Sequence, residues 1–157
     1  KADSRQSASG LIYKINVDIE KTPFLNWRWR VEQPIQGQFD EKEKPGDDYA
    51  ARIYVVLSGG IAIWNTKALN YVWAKHSPKN DSWPNAFAPK NAKMIALRSA
   101  QDPVATWVEE KRNIKADFKA IFGKDVKKID AVVLMTDTDN TGGQAQAYYG
   151  DIFFSAQ

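Results

Sequence analysis

Apolar and polar residues alternate along much of this chain, which is the pattern of strands that bury one face. The clearest example is residues 25–31, where leucine, tryptophan and valine occupy the odd positions and asparagine and arginine the even ones. We predict further strands at residues 9–18, 50–57, 61–64, 68–74, 92–99, 104–112, 129–136 and 145–154. In the last of these, simple alternation places Tyr149 on the face opposite Tyr148 and Phe154. The chain is therefore predicted to consist mainly of about eight or nine short strands.

One segment has the periodicity of a helix. Its apolar residues, which fall on a single stripe, are Ile114, Phe118, Ile121 and Phe122. Asn113 is a residue type that caps the first turn of a helix, and Gly123 is the type that follows the last turn. We predict one short helix near residues 114–123 that closes one end of the core.

The mixture of elements indicates an all-β fold, a two-sheet β-sandwich of jelly-roll type with one short helix. The 157 residues are typical of a single domain, and no internal repeat divides them. Residues 75–91 contain three prolines and Trp83. Long loops of this kind are often functional, so we expect Trp83 to be exposed. Residues 40–44 mix acidic and basic side chains and are predicted to form a solvated loop.

Composition excludes several classes of function. The net charge is only +3 and no basic run exists, so nucleic acid is not an expected partner. The chain has no cysteine, which excludes disulfides, thiol nucleophiles and cysteine metal sites. Its single histidine, His76, leaves no histidine cluster for catalysis or metal binding. No apolar run approaches the roughly 18–20 residues of a membrane helix, and we expect no transmembrane segment.

Three arginines form the first candidate site. Arg28 and Arg30 lie on the polar face of one predicted strand, and Arg52 lies on the polar face of the next strong one. If these strands are neighbours, their guanidinium groups would suit a carboxylate, a sulfate, a phosphate or a polyhydroxyl compound. The alternative is a structural network with aspartates. The predicted ligand-binding residues, including aromatic side chains that could stack on a sugar, are Arg28, Arg30, Arg52, Tyr54, Trp83 and Tyr149.

An aspartate-rich loop is the second candidate. Residues 137, 139, 141 and 142 match the first positions of an EF-hand, but Tyr148 stands where that loop needs a bidentate carboxylate. A different Ca²⁺ site built on Asp137 and Asp139 remains open, and so does a simple turn. Asp137, Asp139 and Asp151 are also candidate catalytic residues, because glycosidases use paired carboxylates.

Four stretches carry a resemblance to a known family. They are LNWRWRV at residues 25–31, GDDYAARIYVV at 46–56, SWPN at 82–85, and MTDTDNTGG at 135–143 followed by YGDI at 149–152. Together they resemble an uncharacterised bacterial family, the domain of unknown function three-zero-four-seven. The resemblance implies an exported protein, periplasmic or secreted, and implies no activity. It also implies that the single domain of residues 1–157 lacks its first strand or strands. The YGDI stretch further resembles the last strand of galactose-binding-like β-sandwiches, a fold-level analogy.

These features favour an exported module that binds a carbohydrate or another small polar or anionic ligand. They lean away from an enzyme without deciding the matter, and no cofactor is expected beyond the Ca²⁺ discussed above. Two other functions stay open. One is a glycan-acting hydrolase that uses paired aspartates, and the other is a structural or protein-interaction domain of the cell envelope.

Overall fold

Two β-sheets and one helix make up the computed structural model, which describes the backbone of residues 1–157 and every side chain except that of Ile63. The strands are β1 (Ala2–Arg5), β2 (Ala8–Asp18), β3 (Phe24–Gln33), β4 (Arg52–Leu57), β5 (Lys67–Trp73), β6 (Ser82–Pro84), β7 (Ala92–Arg98), β8 (Val108–Asn113), β9 (Lys128–Asp137) and β10 (Gln144–Ser155), and the helix is α1 (Ile114–Phe122).

The strands form a four-stranded sheet in the order β1-β10-β3-β8 and a six-stranded sheet in the order β2-β9-β4-β5-β7-β6. Neighbouring strands are antiparallel, with the exception of β5 and β7, which run parallel. The sheets pack face to face around a shared core, so the predicted all-β sandwich is confirmed. Across the described residues, no helix is long and apolar enough to span a membrane.

The core between the sheets is rich in tryptophan. Trp27 and Trp29 point inward from β3, with their ring centroids 5.5 Å apart in an edge-on arrangement. Trp27 also lies 5.5 Å from Tyr71, and Trp29 lies 5.9 Å from Trp73, so the rings of β3 meet those of β5. The predicted burial of the apolar face of residues 25–31 is therefore confirmed. Burying each such side chain contributes roughly 1.5–3 kcal/mol.

The helix follows its prediction closely. The Oδ1 of Asn113 accepts a hydrogen bond from the Ala116 N–H at 2.9 Å, which caps the first turn. Gly123 ends the helix with φ of 66°, a conformation that costs glycine little because it lacks a Cβ atom. Ile114 and Phe118 are buried, and α1 contacts β3 and β8.

Trp83 is buried, contrary to the expectation of an exposed loop residue. Residues 82–84 form β6, which pairs with β7 and sets Trp83 opposite Met94. There Trp83 joins a second apolar cluster, on the outer face of the six-stranded sheet, that consists of Tyr49, Val72, Ala74, Trp83, Met94 and Ala96. The prolines do not prevent this pairing, because an edge strand needs hydrogen bonds on only one side.

Glu41 is also buried, so the prediction of a solvated loop at residues 40–44 is wrong for this residue. Its carboxylate accepts hydrogen bonds from three successive backbone N–H groups, those of Lys75, His76 and Ser77. These charge-assisted bonds replace the water that the carboxylate loses on burial. Glu41 thereby fastens the segment before β4 to the segment after β5.

Two strand predictions fail in detail. Residues 63–65 form a turn of 3₁₀-helix in place of the predicted strand, and β8 begins only at Val108. In β10 a bulge between Gly150 and Phe153 shifts the register with β3. The extra residue changes which side chains face inward, so Tyr149 and Phe154 both pack against the core. The predicted alternation therefore holds only up to Gly150. That strands precede residue 1 stays a prediction.

Replacing Glu41 by glutamine tests the role of this carboxylate. Glu41→Gln should lower the free energy of unfolding by about 1–3 kcal/mol, because an amide offers one acceptor oxygen and turns its NH₂ toward the backbone donors. Urea unfolding followed by tryptophan fluorescence measures the change. Glu43→Gln, at an exposed position two residues away, is the matched control and should change stability by less than about 0.5 kcal/mol. Equal effects of the two variants would contradict the assigned role.

Candidate functional site

The three predicted arginines do not share a surface. Arg28 and Arg30 belong to β3 in the four-stranded sheet, whereas Arg52 belongs to β4 in the six-stranded sheet. In both strands the alternate residues point into the core, so the arginines face outward on opposite sides of the sandwich. The predicted common arginine face is therefore wrong. The reason is that residues 34–51, which connect β3 to β4, cross from one sheet to the other.

Arginine and aromatic side chains interleave on the outer face of the four-stranded sheet. The guanidinium of Arg28 lies 4.7 Å from the ring centroid of Trp107, and that of Arg30 lies 5.8 Å from Tyr148. The two rings meet edge-on, with centroids 6.4 Å apart. Arg30 also donates two hydrogen bonds to Glu32, at 2.6 and 2.9 Å. This surface therefore combines flat apolar rings with cations that already have partners.

The bulge in β10 determines where the Arg28 side chain lies. Gly150 lies opposite Arg28 in the register, and a Cβ atom at Gly150 would be 3.3 Å from the Arg28 Nε and 3.7 Å from the Trp107 ring. Asp151 follows with φ of 51°, and its Oδ2 lies 2.6 Å from the Arg28 Nε, although the N–H is not aligned for a hydrogen bond. Ala105 donates its N–H to the Val31 carbonyl, which holds the Trp107 loop against β3.

A groove of about 450 Å³ runs beside Arg28 on the same face, and we call it the outer groove. It is lined by Asn26, Trp27, Arg28, Glu109, Glu110, Lys111, Asp151 and Phe153. Phe153 leaves 54% of its surface exposed. The volume is within the range of small-ligand sites. Its exposed charged groups are two cations, Arg28 and Lys111, and two anions, Glu109 and Asp151, so they sum to zero.

Of the residues that line the groove, only Arg28 and Asp151 are predicted site residues. Glu109 pairs with Arg28 in the β3–β8 register, and Lys111 pairs with Asn26. Phe153 comes beside Asn26 only because of the bulge. No local pattern reveals such cross-strand pairs. The one available signal was the Gly150-Asp151 step, since glycine followed by aspartate inside a strand indicates a bulge.

Arg52 lies among partners in a buried cluster on the other sheet. Its Nη1 donates to Asp137 Oδ2 at 3.2 Å and its Nε to Asn70 Oδ1 at 3.0 Å. Its guanidinium lies 5.3 Å from the ring centroid of Tyr54 and 5.6 Å from that of Tyr49. For Arg52, the structure therefore matches the alternative reading of a structural network with aspartates.

Three buried carboxylates, Asp47, Asp48 and Asp137, lie in this region, and Asp137 is the one that bonds Arg52. Asp48 accepts four hydrogen bonds, from the backbone and side chain of both Asn140 and Thr141. Asp137 accepts from Arg52 and, through Oδ1, from the Tyr49 N–H at 3.1 Å. Asp47 accepts from Asn85 at 2.7 Å through one oxygen, whereas its other oxygen has no partner among the described residues.

Burial, together with the like charge of neighbouring carboxylates, raises the pKa of Asp137 and of Asp47. Burial raises the pKa of Asp137 to about 7, against the opposing effect of the Arg52 guanidinium. Burial also raises the pKa of Asp47. Asp48 and Asp47 add like charge near Asp137 and act in the same direction. The cluster therefore favours protonation of at least one carboxyl group in the folded chain.

Tyr149 closes this cluster from the other sheet. Its phenol donates to the Met135 carbonyl at 2.7 Å and accepts from the Arg52 N–H at 3.1 Å. Burial raises the pKa of this phenol to about 12. Of the predicted ligand-binding residues, Arg28 and Arg30 thus lie on the face of the outer groove, while Arg52, Tyr54 and Tyr149 surround the buried cluster. Trp83 adjoins the buried cluster through Tyr49, with which it packs on the outer face of the six-stranded sheet.

The predicted metal ligands lie close to a third carboxylate. Asp48, Asp137 and Asp139 can each bring one oxygen within 4.8 Å of the others. The oxygens of Asp48 and Asp137 already accept hydrogen bonds from protein donors, whereas Ca²⁺ takes six to eight oxygen ligands. The Ca²⁺ site stays a prediction.

The candidate catalytic aspartates are divided between the two sheets. Asp151 lies beside Arg28 in β10, whereas Asp137 ends β9 in the other sheet and Asp139 follows it. Asp137 is only 2% exposed, and its neighbour Asp139 is the accessible member of the pair. A hydrolase based on Asp137 and Asp139 stays a prediction.

Two matched variants test the buried cluster. Asp47 and Asp137 titrate in the folded chain above the value of about 3.9 for an unfolded aspartate. Their contribution to stability is therefore full below about pH 4 and is lost as the pH rises through the raised pKa of each group, which is about 7 for Asp137. We expect Asp47→Asn to make this loss shallower and to raise the melting temperature at about pH 8, because it removes one of three like charges.

The paired variant Asp48→Asn should lower the stability instead, because the lost hydrogen bonds outweigh the removal of a like charge. It removes acceptors from the turn at residues 140–141 and should lower the free energy of unfolding by about 1–3 kcal/mol near neutral pH. Thermal unfolding between about pH 4 and 8 measures both variants. If Asp47→Asn were as unstable as Asp48→Asn near neutral pH, or as pH-dependent as the unaltered chain, the charge imbalance described here would be wrong.

Residues 1–153 match the model of a family described as "Protein of unknown function (DUF3047)", which confirms the family predicted from the four sequence stretches. No curated protein is significantly similar to the chain. The likeness to galactose-binding-like sandwiches stays a prediction. Because the match covers nearly the whole sandwich, from β1 to within two residues of the end of β10, the chain belongs to the DUF3047 family.

Proposed function

We propose that this domain binds a neutral carbohydrate in the outer groove. The observation that carries the proposal is a groove of about 450 Å³ in which the exposed ring of Phe153 lies among polar side chains whose charges cancel. Ligand sites combine apolar surface with a few placed polar groups in this way.

Phe153 supplies the apolar surface. Its ring stands on the outer face of β10, more than half exposed, between strand neighbours that fix its position. A sugar ring has one flat face of C–H groups, which can stack on an aromatic side chain and remove apolar area from water. The ring of Trp107, which lies 4.7 Å from the Arg28 guanidinium, extends this aromatic surface beyond Arg28.

The polar lining favours a neutral ligand over an acidic one. Arg28 already has Asp151 at 2.6 Å, so an anionic ligand would have to compete with that carboxylate. Glu109 and Asp151 offer acceptors and Lys111 offers donors. Asn26 offers the oxygen of its amide, because its NH₂ already donates to Ser155 Oγ and the Phe24 carbonyl. Hydroxyl groups can donate and accept, and they can therefore pair with every one of these side chains. The expected ligand, a carbohydrate or another small polar or anionic compound, is therefore narrowed to a neutral carbohydrate.

The position of the domain in the bacterial envelope, periplasmic or secreted, is part of this proposal and rests on the family resemblance alone. A carbohydrate-binding module without catalysis agrees with the lean away from an enzyme. The buried state of Asp137 supports a binding role over hydrolysis, because a general acid must reach the substrate.

Tryptophan fluorescence and calorimetric titration test the proposal. The probes are neutral oligosaccharides of glucose and of N-acetylglucosamine, with oligogalacturonate as the acidic comparison. We expect a neutral oligosaccharide to quench the fluorescence saturably and oligogalacturonate to have no effect. Phe153→Ala should weaken binding about tenfold, which corresponds to about 1.4 kcal/mol. Phe87→Ala, at an exposed phenylalanine outside the groove, is the matched control and should bind normally.

The source of the signal is also testable. Trp64 and Trp107 are the exposed tryptophans among the described side chains, and only Trp107 lies beside Arg28. Quenching should survive in Trp64→Phe and disappear in Trp107→Phe. Binding of the acidic oligosaccharide alone, or unchanged affinity in Phe153→Ala, would reject the outer groove as a neutral sugar site.

A further inference from the structure

The first part of β2 is an unprotected sheet edge. β2 begins the six-stranded sheet and pairs on one side only, with β9. The other side presents backbone N–H and C=O groups to solvent. Natural edges are usually protected by charged residues, proline or bulges, yet residues 8–13 read Ala-Ser-Gly-Leu-Ile-Tyr and contain no charge and no proline.

This edge also exposes apolar side chains on both faces. Leu11, Ile12 and Tyr13 leave 70%, 62% and 66% of their surfaces exposed. In β2, Leu11 and Tyr13 lie on the side of the sheet that faces its partner sheet, whereas Ile12 lies on the outer side. Single exposed apolar residues need no explanation, but three in succession on a sheet edge form a patch.

A cleft of about 520 Å³ adjoins the edge. It opens between β1 and the pair β2–β9, where the sheets separate, and its apolar lining includes Leu11 and its strand partner Leu134. Tyr149 and the hydroxyl groups of Ser7 and Ser9 line the same space. The cleft is continuous with the exposed side chain of Leu11, so an added strand could fill it from the edge.

The walls of the cleft are tied together. The Ser4 hydroxyl lies 2.8 Å from the Thr138 hydroxyl and donates to the Ser7 carbonyl at 2.7 Å. The N–H of Gln6 donates to the Gly143 carbonyl at 2.9 Å, which fixes the turn between β1 and β2. The opening is therefore held by bonds between β1, the β9–β10 turn and the start of β2.

We propose that β2 accepts an extended segment of a partner polypeptide as an additional strand, and that alternate side chains of this segment enter the cleft. Strand addition of this kind takes its affinity from main-chain hydrogen bonds and its specificity from pockets for alternate side chains. This site lies on the edge of the six-stranded sheet and is separate from the outer groove.

The lining defines the chemistry of the partner. The charged residues at the cleft, Lys1 and Asp3, lie 3.7 Å from each other and form an ion pair. The remaining lining is apolar or carries hydroxyl groups. Inward side chains of the partner should therefore be uncharged and apolar, of the valine or isoleucine type, because an unpaired charge in the cleft would lose its hydration.

The area favours an extended segment over a second copy of this chain. The exposed surface of Leu11, Ile12 and Tyr13 amounts to roughly 300–400 Å². A stable interface between globular partners buries about 800 Å² on each side. Two sandwiches that met only at this edge would fall short of that area, whereas a single strand can use the edge and the cleft together.

A peptide titration tests the proposal. The probe is a fluorescein-labelled nonapeptide, Lys-Thr-Val-Thr-Val-Thr-Val-Thr-Lys. Of two comparison peptides, one carries an N-methyl group on every threonine and valine, so that neither edge of the strand can donate, and the other has glutamate in place of valine. We expect the first peptide alone to raise the fluorescence anisotropy saturably. Amide hydrogen exchange followed by NMR should slow at least tenfold when the peptide binds, in those residues of 8–13 whose N–H groups point away from β9.

Substitutions in β2 test where the peptide binds. Leu11→Lys and Tyr13→Lys should each weaken peptide binding at least tenfold, and both positions are exposed, so the fold should persist by circular dichroism. Ile61→Lys, at a fully exposed isoleucine in a turn, is the matched control and should bind as the unaltered chain does. Phe153→Ala should also bind the peptide normally, which separates this site from the outer groove.

Several results would overturn the proposal. Equal binding of the N-methylated peptide would show that backbone pairing is not involved. Unchanged affinity in Leu11→Lys, or no binding of any peptide, would remove β2 as the acceptor. A dimer that forms with rising concentration and is lost in Leu11→Lys, measured by sedimentation, would assign the edge to a second copy of the chain instead.

Discussion

Buried carboxylates that accept hydrogen bonds from distant backbone N–H groups hold the irregular parts of this protein in place. Glu41 accepts from the backbone after β5, Asp48 accepts from the turn before β10, and Asp137 accepts from the N–H of Tyr49. Each bond joins segments far apart in sequence. The alternating strands bury the tryptophan core, but these carboxylates fix how the crossing segment of residues 34–51 lies on the six-stranded sheet.

The sequence stretches that identify the family converge on this network. Asp47, Asp48 and Arg52 come from one stretch, Asn85 from another, and Asp137 and Thr141 from a third. Tyr149, from the last, bonds the backbone of Arg52. The stretches that carry the family resemblance therefore contain many of the residues that hold the sandwich together.

The parts of the structure that follow from local patterns were predictable. Strand alternation placed Trp27 and Trp29 in the core, and the capping residues Asn113 and Gly123 bounded the helix. The failures have a common physical origin, because each depends on contacts between distant residues. Trp83 is buried by pairing with β7, and the outer groove exists because β8 and β10 flank β3. A sequence displays its own periodicity, but it does not display which strands become neighbours.

The parallel pair β5–β7 has a consequence for the order of folding. The chain between these strands must travel the length of the sheet before β7 can align, and β6 within that connection can pair only once β7 is in position. The loop that β5 and β7 close is nevertheless shorter than that of β2 and β9, which joins Ala8 to Asp137. Contacts that close long loops form late, because their entropic cost precedes their stabilisation. The β4–β5–β7–β6 part of the sheet should thus assemble before β2 joins β9, and the β2 edge should be the first region of this sheet to open, a separate foldon within one domain.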